Sequence, residues 1–122
     1  MKVLVADDDE AIRTLVTRLF ARRGDTVQGA TDGAAAITCL DAEKFDLLIL
    51  DLMMPRTDGM GVLAHLRARS APSPRIIVMT AAVPSLTASV PREQIVALVT
   101  KPFDIASLVR IADEAVGTSS AL

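Results

Sequence analysis

The sequence is poor in aromatic residues and in cysteine, and these shortages exclude several classes of protein. Only 2% of its 122 residues are aromatic, and all three are phenylalanine, so there is no set of rings on which the bases of single-stranded nucleic acids could stack. The single cysteine, Cys39, can form no internal disulfide. Its setting in the mostly apolar stretch AAAITCL favours a small core residue over a nucleophile.

Long apolar runs and clustered positive charges are also missing. The chain is 51% hydrophobic, but no uninterrupted apolar run is long enough to cross a bilayer. Acids follow the short apolar run of MKVLVADDDE at once, unlike the pattern of a secretory signal. The 13 lysines and arginines are scattered and the net charge is -2, which disfavours direct binding of nucleic acid. We therefore expect a soluble cytoplasmic protein with one domain, residues 1–118, and a C-terminal tail, residues 119–122.

Five short apolar segments alternate with helical patterns along the chain. The predicted strands are Lys2 to Ala6, Thr26 to Ala30, Asp46 to Asp51, Arg75 to Thr80 and Val96 to Thr100. The first helix carries its apolar residues on one face, and these are Ile12, Leu15, Val16, Leu19 and Phe20. Strands that alternate with helices predict an α/β fold, with a parallel sheet covered on both faces.

The connection between the fourth and fifth strands breaks this pattern. The segment AAVPSLTASVPREQI contains Pro84 and Pro91 and has poor apolar periodicity. Proline is tolerated in the first turn of a helix and disrupts later turns. We therefore expect an irregular or shortened fourth helix, with one or two short turns that begin at the prolines.

Polar residues follow or end four of the predicted strands. Because the carboxyl ends of parallel strands meet at one edge of a sheet, we expect these side chains to lie close together. They are Asp7, Asp8 and Asp9 after the first strand, Asp51 at the end of the third, Thr80 at the end of the fourth and Lys101 after the fifth. Asp9 is the acid most easily explained as a helix cap.

The grouped carboxylates and their neighbours predict a metal site with phosphoryl-transfer chemistry. Asp7, Asp8 and Asp51 would repel one another without a cation, and carboxylate oxygens suit Mg²⁺ or Mn²⁺. A carboxylate nucleophile at Asp51, a hydroxyl at Thr80 and an ammonium at Lys101 are the further groups that phosphoryl transfer needs. Taken singly, each acid could instead be a helix cap, a turn residue or a solvated side chain. His65 has no partner at metal-ligand spacing and is interpreted as a surface residue.

Four blocks of the sequence, in this order, resemble a response-regulator receiver domain. They are KVLVADDDEAIR, LLILDLMMPRTDGM, IIVMTA and TKPFD, and the match covers nearly the whole chain. The resemblance implies a flavodoxin-like fold with five parallel strands in the order 2-1-3-4-5. It implies that Asp51 accepts a phosphoryl group from a histidine kinase or phosphotransfer protein, and that an output protein reads the change.

The resemblance also implies roles for the other residues at the predicted site. Asp7 and Asp8 match the metal-binding acid pair, with the backbone carbonyl of Met53 as a further ligand. Thr80 matches the switch hydroxyl and Lys101 the lysine that pairs with the acyl phosphate. A cis peptide bond is expected between Lys101 and the proline that follows it.

The sequence departs from the family pattern in its predicted readout. Leu98 stands where the family often has an aromatic residue on the fifth strand, so an aromatic rotamer switch is excluded at that position. Met53 and Ala82, which flank the site in the family pattern, have no polar group to orient water, so we expect slow self-dephosphorylation.

Two other functions remain open from the sequence. One is a protein-interaction module that keeps the fold without being phosphorylated, and the other is an enzyme that uses Asp51 as a nucleophile on small phosphate esters. The Met-Met-Pro that comes shortly after Asp51 offers no general acid, which argues against the enzyme. We therefore expect a phosphoacceptor that assists its own reactions, and not an enzyme with other substrates.

Overall fold

The computed structural model describes residues 1–81 and 84–120, and these form one parallel sheet with helices on both faces. The strands are β1 (Lys2–Ala6), β2 (Thr26–Ala30), β3 (Leu47–Leu50), β4 (Arg75–Ala81) and β5 (Ala97–Lys101). The helices are α1 (Glu10–Arg22), α2 (Gly33–Ala42), α3 (Gly59–Ala68), α4 (Pro84–Thr87) and α5 (Ile105–Ser120). The strand order is β2-β1-β3-β4-β5 and every pairing is parallel, so the flavodoxin-like fold and its order are confirmed.

Alternate residues of the central strands pack into two separate cores. In β3, Leu48 and Leu50 face a core that is closed by α2 and α3. Leu47 and Ile49 face the other core, which is closed by α1 and α5. All four side chains are fully buried, which explains why the strand reads as a continuous apolar run rather than an alternating one.

The apolar face of α1 is narrower than the sequence predicts. Val16 and Phe20 are fully buried against the sheet, and Ile12 and Leu19 are partly buried. Leu15 is 44% exposed, so its prediction as part of this face was wrong. The face of α1 that packs on the sheet therefore does not include Leu15.

Aspartates mark the beginnings of three helices. Asp9 accepts hydrogen bonds from the backbone of Ala11 and Ile12 at the start of α1, which confirms its role as a cap. Asp32 and Asp58 cap α2 and α3 in the same way. Such caps satisfy amide groups that have no partner within the helix. Acids that follow strands therefore have two uses here, and only some of them belong to a site.

The fourth helix is short, as the prolines predict. It begins at Pro84 and covers four residues, Pro84–Thr87. A 3₁₀ turn, Arg92–Gln94, follows directly after Pro91. The side-chain amide of Gln94 donates to the carbonyl of Leu63 at 2.6 Å, which attaches this turn to α3.

The bounds of three strands differ by one residue from prediction. The third strand is Leu47–Leu50, one residue shorter at each end than predicted. The backbone N–H of Asp51 still bonds to the carbonyl of Ala6 at 2.9 Å, while its side chain accepts Met53 in the turn. The fourth strand runs one residue further, to Ala81, and the fifth is shifted by one residue to Ala97–Lys101, where Lys101 pairs with Ala81. Helix α5 continues to Ser120, and Ala121 and Leu122 lie outside the described residues. The division between a domain at 1–118 and a tail at 119–122 stays a prediction.

Candidate functional site

The register of the strands brings the predicted polar residues together at the carboxyl edge of the sheet. Ala6 pairs with Leu50, so the residues that follow them, Asp7 and Asp51, leave the sheet side by side. Thr80 is the last residue but one of β4, and Lys101 ends the neighbouring β5. The expected convergence is therefore present in the structure.

Asp7 is fully buried and its contacts use both carboxylate oxygens. Oδ1 accepts the backbone N–H of Asp9 at 2.9 Å, and Oδ2 accepts the ammonium of Lys101 at 2.9 Å. Burial raises the pKa of this carboxyl, and the nearby charge of Asp51 adds to the rise, although the two hydrogen bonds oppose it. The Asp7 carboxylate is thus held at an electrostatic cost that a nearby cation would relieve.

Asp51 is 4% exposed and lies at the start of the turn after β3. Its Oδ1 accepts the backbone N–H of Met53 at 3.1 Å, and its Oδ2 accepts Lys101 at 2.9 Å. The side chain of Met53 is 55% exposed and apolar. The predicted ligand role of the Met53 carbonyl stays a prediction.

Lys101 joins the two buried carboxylates through one ammonium group. Its Nζ lies 2.9 Å from Oδ2 of Asp7 and 2.9 Å from Oδ2 of Asp51. Burial alone would lower the pKa of this lysine, but the hydrogen bonds and charges of the two acids outweigh burial and raise the pKa. The lysine is therefore a firmly charged group beside Asp51. The peptide bond to Pro102 is cis, as the resemblance implies.

Three carboxylates lie close enough to share one cation. Asp7, Asp8 and Asp51 each offer an oxygen, and these oxygens all lie within 4.8 Å of one another. Like charges at that distance repel by about 3.5 kcal/mol at an effective dielectric of about 20. Lys101 balances one of the three charges, and the all-oxygen donor set suits a hard divalent ion. The residues present therefore fit Mg²⁺ or Mn²⁺.

Thr80 carries a buried hydroxyl at the same edge. The residue is fully buried, and Oγ1 has no hydrogen-bond partner within residues 1–81 and 84–120. An unsatisfied buried polar group costs about 1–3 kcal/mol. A hydroxyl kept at that cost beside a carboxylate site is suited to an incoming acceptor such as a phosphoryl oxygen.

Two close approaches at this edge were not identified from the sequence. A Cβ on Gly59 would lie 2.5 Å from the carbonyl oxygen of Asp51, so the missing side chain lets α3 begin directly against the end of β3. A guanidinium nitrogen of Arg13 donates to the backbone carbonyl of Asp7 at 2.9 Å. The Asp-Gly pair before α3 was an available signal for the first, whereas nothing local indicates the second.

Cys39 and His65 lie on α2 and α3, away from these residues. Cys39 is partly buried and packs against the core between the sheet and those helices, and burial raises the pKa of its thiol, which favours a packed residue over a nucleophile. His65 pairs with Asp41 at the surface, at 2.9 Å. No helix in the described part of the chain is both long enough and apolar enough to cross a membrane.

Comparison with known families gives one match over most of the chain. The family model described as "Response regulator receiver domain" matches residues 3–113. Curated relatives include the response regulator MprA of Mycobacterium avium (strain 104), which is 41% identical over 81 residues. MprA of Mycobacterium tuberculosis (strain CDC 1551 / Oshkosh) is 40% identical over the same length. The aligned residues cover 66% of this chain and 35% of each relative, so the match spans about a third of their length.

Solved structures of similar proteins share the whole fold. The receiver domain of the Francisella response regulator 1452 has a TM-score of 0.83 and 29% identity, and the alignment covers 96% of this chain and 98% of that one. The response regulator TrrA from Thermotoga maritima has a TM-score of 0.82 and 25% identity, over 93% and 97% of the two chains. Its structure is described as a complex with Mg²⁺ and BeF.

Proposed function

The chain belongs to the family of response regulator receiver domains of two-component signalling, and from that premise we propose that Asp51 is its phosphoacceptor. The observation that carries the proposal is the contact of one ammonium, Lys101, with two buried carboxylates at the ends of neighbouring strands. Beside them lies a buried hydroxyl, Thr80, without a partner in the described parts of the chain. These groups fit the transfer of a phosphoryl group and the binding of its charge.

The reaction is an attack by the Asp51 carboxylate on a phosphohistidine. A carboxylate oxygen forms a bond to phosphorus while the bond from phosphorus to the imidazole nitrogen breaks. The imidazole nitrogen keeps the electron pair of that bond and takes up a proton. The product on this chain is an aspartyl phosphate, which water later hydrolyses. The protein is thus a phosphoacceptor that assists its own reactions, and not an enzyme with other substrates.

The divalent cation is the proposed cofactor. Asp7, Asp8 and Asp51 supply carboxylate oxygens for it, and the carbonyl of Met53 is a proposed fourth donor. When bound, Mg²⁺ or Mn²⁺ supplies positive charge against the phosphoryl oxygens. The complex of the similar TrrA protein with Mg²⁺ and BeF supports this choice of ion.

Lys101 and Thr80 are the proposed sensors of the new charge. A phosphoryl group adds a charge of about -1.5 to -2 and three acceptor oxygens. The ammonium of Lys101, already directed at Asp51, can donate to one of these oxygens, and the hydroxyl of Thr80 can donate to another. Thr80 lies in β4, just before the short α4, so its movement would pull on the segment that joins β4 to β5.

The readout differs from an aromatic switch. Leu98 pairs with Val78 in the sheet and packs partly buried against the core of α2 and α3, so no ring is available there to turn inward. We assign the response to the segment between β4 and β5, which contains α4 and the 3₁₀ turn. Slow self-dephosphorylation stays part of the proposal, because the apolar Met53 has no polar group to orient water. Ala82, the other flanking residue, lies outside the described residues.

Receiver domains of response regulators are phosphorylated by histidine kinases, and this gives the proposed partner. A sensor histidine kinase or a phosphotransfer protein supplies the phosphoryl group to this chain, and an output protein recognises the phosphorylated form.

The test is intact-mass spectrometry after incubation with a small acyl phosphate, with and without Mg²⁺. Wild type and Thr80→Val are expected to gain a single phosphoryl adduct that depends on the metal, and Asp51→Asn is expected to gain none. Asp113→Asn, the same change at an exposed position on α5, is the matched control and should be phosphorylated normally. A folded wild type that gains no adduct under any condition contradicts the proposal and favours a phosphorylation-independent interaction module.

A further inference from the structure

Arg13 reaches the metal-site turn from the first turn of α1. Its backbone N–H bonds to the carbonyl of Asp9 within the helix, but its side chain turns back and donates to the carbonyl of Asp7 at 2.9 Å. On the way it crosses Gly29 of β2, where an added Cβ would lie 3.2 Å from Cδ of Arg13. The glycine therefore leaves the space through which the arginine reaches the turn.

Arg13 bonds directly to the peptide between Asp7 and Asp8, whereas the other contacts of Asp7 are made by its N–H and its carboxylate. The backbone N–H of Asp7 bonds to Ala30 at 3.1 Å, and its two carboxylate oxygens accept Asp9 and Lys101. These bonds fix the residue itself. Its carbonyl belongs to the planar peptide unit that carries the N–H of the next residue, so a bond to that carbonyl fixes the whole Asp7–Asp8 plane.

Asp8 depends on that plane for its position. Its side chain is exposed, and among residues 1–81 and 84–120 it has no hydrogen bond or ion pair of its own. Even so, its carboxylate oxygen lies within 4.8 Å of those of Asp7 and Asp51. Its position therefore depends on its own rotamer and on the backbone that carries it.

We propose that Arg13 is a positioning residue for the divalent-cation site, which fixes the Asp7–Asp8 peptide and so holds the Asp8 carboxylate towards the ion. Gly29 is the second part of this arrangement, because it leaves room for the arginine. The inference rests on the proposed function, since the cation site is itself part of that proposal.

Position and charge predict opposite effects when Arg13 is replaced. A guanidinium beside a cation site repels the cation, so loss of its charge alone would strengthen metal binding. Loss of the bond to the Asp7 carbonyl would release Asp8 and weaken metal binding. Removing the partners that orient metal ligands commonly costs 10–100-fold in affinity. The sign of the change therefore separates the two explanations.

The experiment is isothermal titration of the metal-free full chain with Mg²⁺. Arg13→Ala is expected to bind Mg²⁺ about tenfold more weakly than wild type. Arg13→Lys keeps the charge and one donor and should recover part of the affinity. Arg18→Gln, the matched control, removes the same charge from an exposed position on α1 and should not weaken binding.

Gly29→Ala tests the mechanism without any change of charge. Its new methyl group crowds the Arg13 side chain and is expected to weaken Mg²⁺ binding in the same direction, by less than Arg13→Ala. If it acts through the arginine, the double variant Gly29→Ala/Arg13→Ala should bind no more weakly than Arg13→Ala alone. Thermal melts followed by circular dichroism confirm that each variant is folded.

Phosphorylation by a small acyl phosphate gives a second readout. The Mg²⁺ concentration for half-maximal rate should rise by the same factor in Arg13→Ala, while the rate at saturating Mg²⁺ returns to that of wild type. If wild type binds Mg²⁺ but folded Arg13→Ala and Gly29→Ala bind it equally well or more tightly, Arg13 has no positioning role. If wild type itself binds no Mg²⁺, the cation site of the proposed function has failed, and the inference fails with it.

Discussion

Asp8→Asn is expected to stabilise the metal-free protein and to destabilise the metal-bound one relative to wild type. The carboxylate of Asp8 lies within 4.8 Å of those of Asp7 and Asp51 and has no ion pair within the described residues. The change therefore removes a repulsion and breaks no identified contact. It also removes one proposed ligand of the cation.

The magnitude follows from the distance and from the exposure of Asp8. Two charges at that separation repel by about 0.9 kcal/mol in water and by about 3.5 kcal/mol at an effective dielectric of about 20. Since Asp8 is exposed and Lys101 offsets part of the charge, the lower figure applies, and we expect a gain of about 1 kcal/mol. For a domain of this size that gain raises the melting temperature by roughly 4 °C.

Mg²⁺ should reverse the order of stability, so that wild type becomes more stable than Asp8→Asn. At a hundredfold excess over the dissociation constant, wild type gains about 2.7 kcal/mol from the ion. The variant, which has lost a ligand, gains less. Because the chain has no tryptophan and no tyrosine, the melts are followed by far-ultraviolet circular dichroism or calorimetry, in EDTA and in Mg²⁺.

The matched control is Glu10→Gln, which makes the same change of charge at the first residue of α1. There the helix dipole favours the acid, so a small loss of stability is expected both with and without the ion. An Asp8→Asn protein that melts below wild type in EDTA, or that gains as much as wild type from Mg²⁺, would refute the reasoning about repulsion among the carboxylates.

Three further predictions concern other parts of the structure. In urea titrations without metal, Lys101→Met should lower the free energy of unfolding by about 2 kcal/mol. The loss is smaller than for a fully buried pair because the lysine side chain is 19% exposed. Calorimetry should show tighter Mg²⁺ binding by this variant. The pKa of Asp41 is lowered, first by its hydrogen bond to His65, so its stabilising effect is present above pH 3.8 and lost as pH falls further. Asp41→Asn should therefore melt below wild type near neutral pH, and the difference should disappear in acid. Gly59→Ala should destabilise the fold in urea titrations despite the better helix propensity of alanine, because its Cβ would lie 2.5 Å from the backbone carbonyl oxygen of Asp51. Equal or greater stability would contradict this.

The periodic parts of the fold were predictable because their causes are local. Continuous apolar runs such as Leu47 to Leu50 predict strands buried on both faces, and their alternation with helices predicts a parallel sheet. Pro84 and Pro91 restrict the backbone wherever they stand, so the short fourth helix was predictable too. Leu15 was misjudged because periodicity gives the direction of an apolar face but not its width.

The carboxyl edge of the sheet was predictable for a different reason. Parallel strands deliver their last residues to one edge whatever lies between them, so Asp7, Asp51, Thr80 and Lys101 could be grouped from strand ends alone. The sharing of one ammonium between Asp7 and Asp51 was not predicted, since strand order came only from the family resemblance and the contact also depends on the register of the strands.

The sequence by itself determined the types of element, the set of polar groups at one edge of the sheet, and the interruption of the fourth helix. The elements and the interruption depend on residues that are near one another in the chain, and the polar set follows from the common direction of parallel strands. The tertiary structure decided the contacts that join distant segments, such as Arg13 across Gly29 to the carbonyl of Asp7, and α3 against the end of β3 at Gly59. Such contacts arise from packing distances, and packing distances exist only once the strands are in register and the helices lie on the sheet.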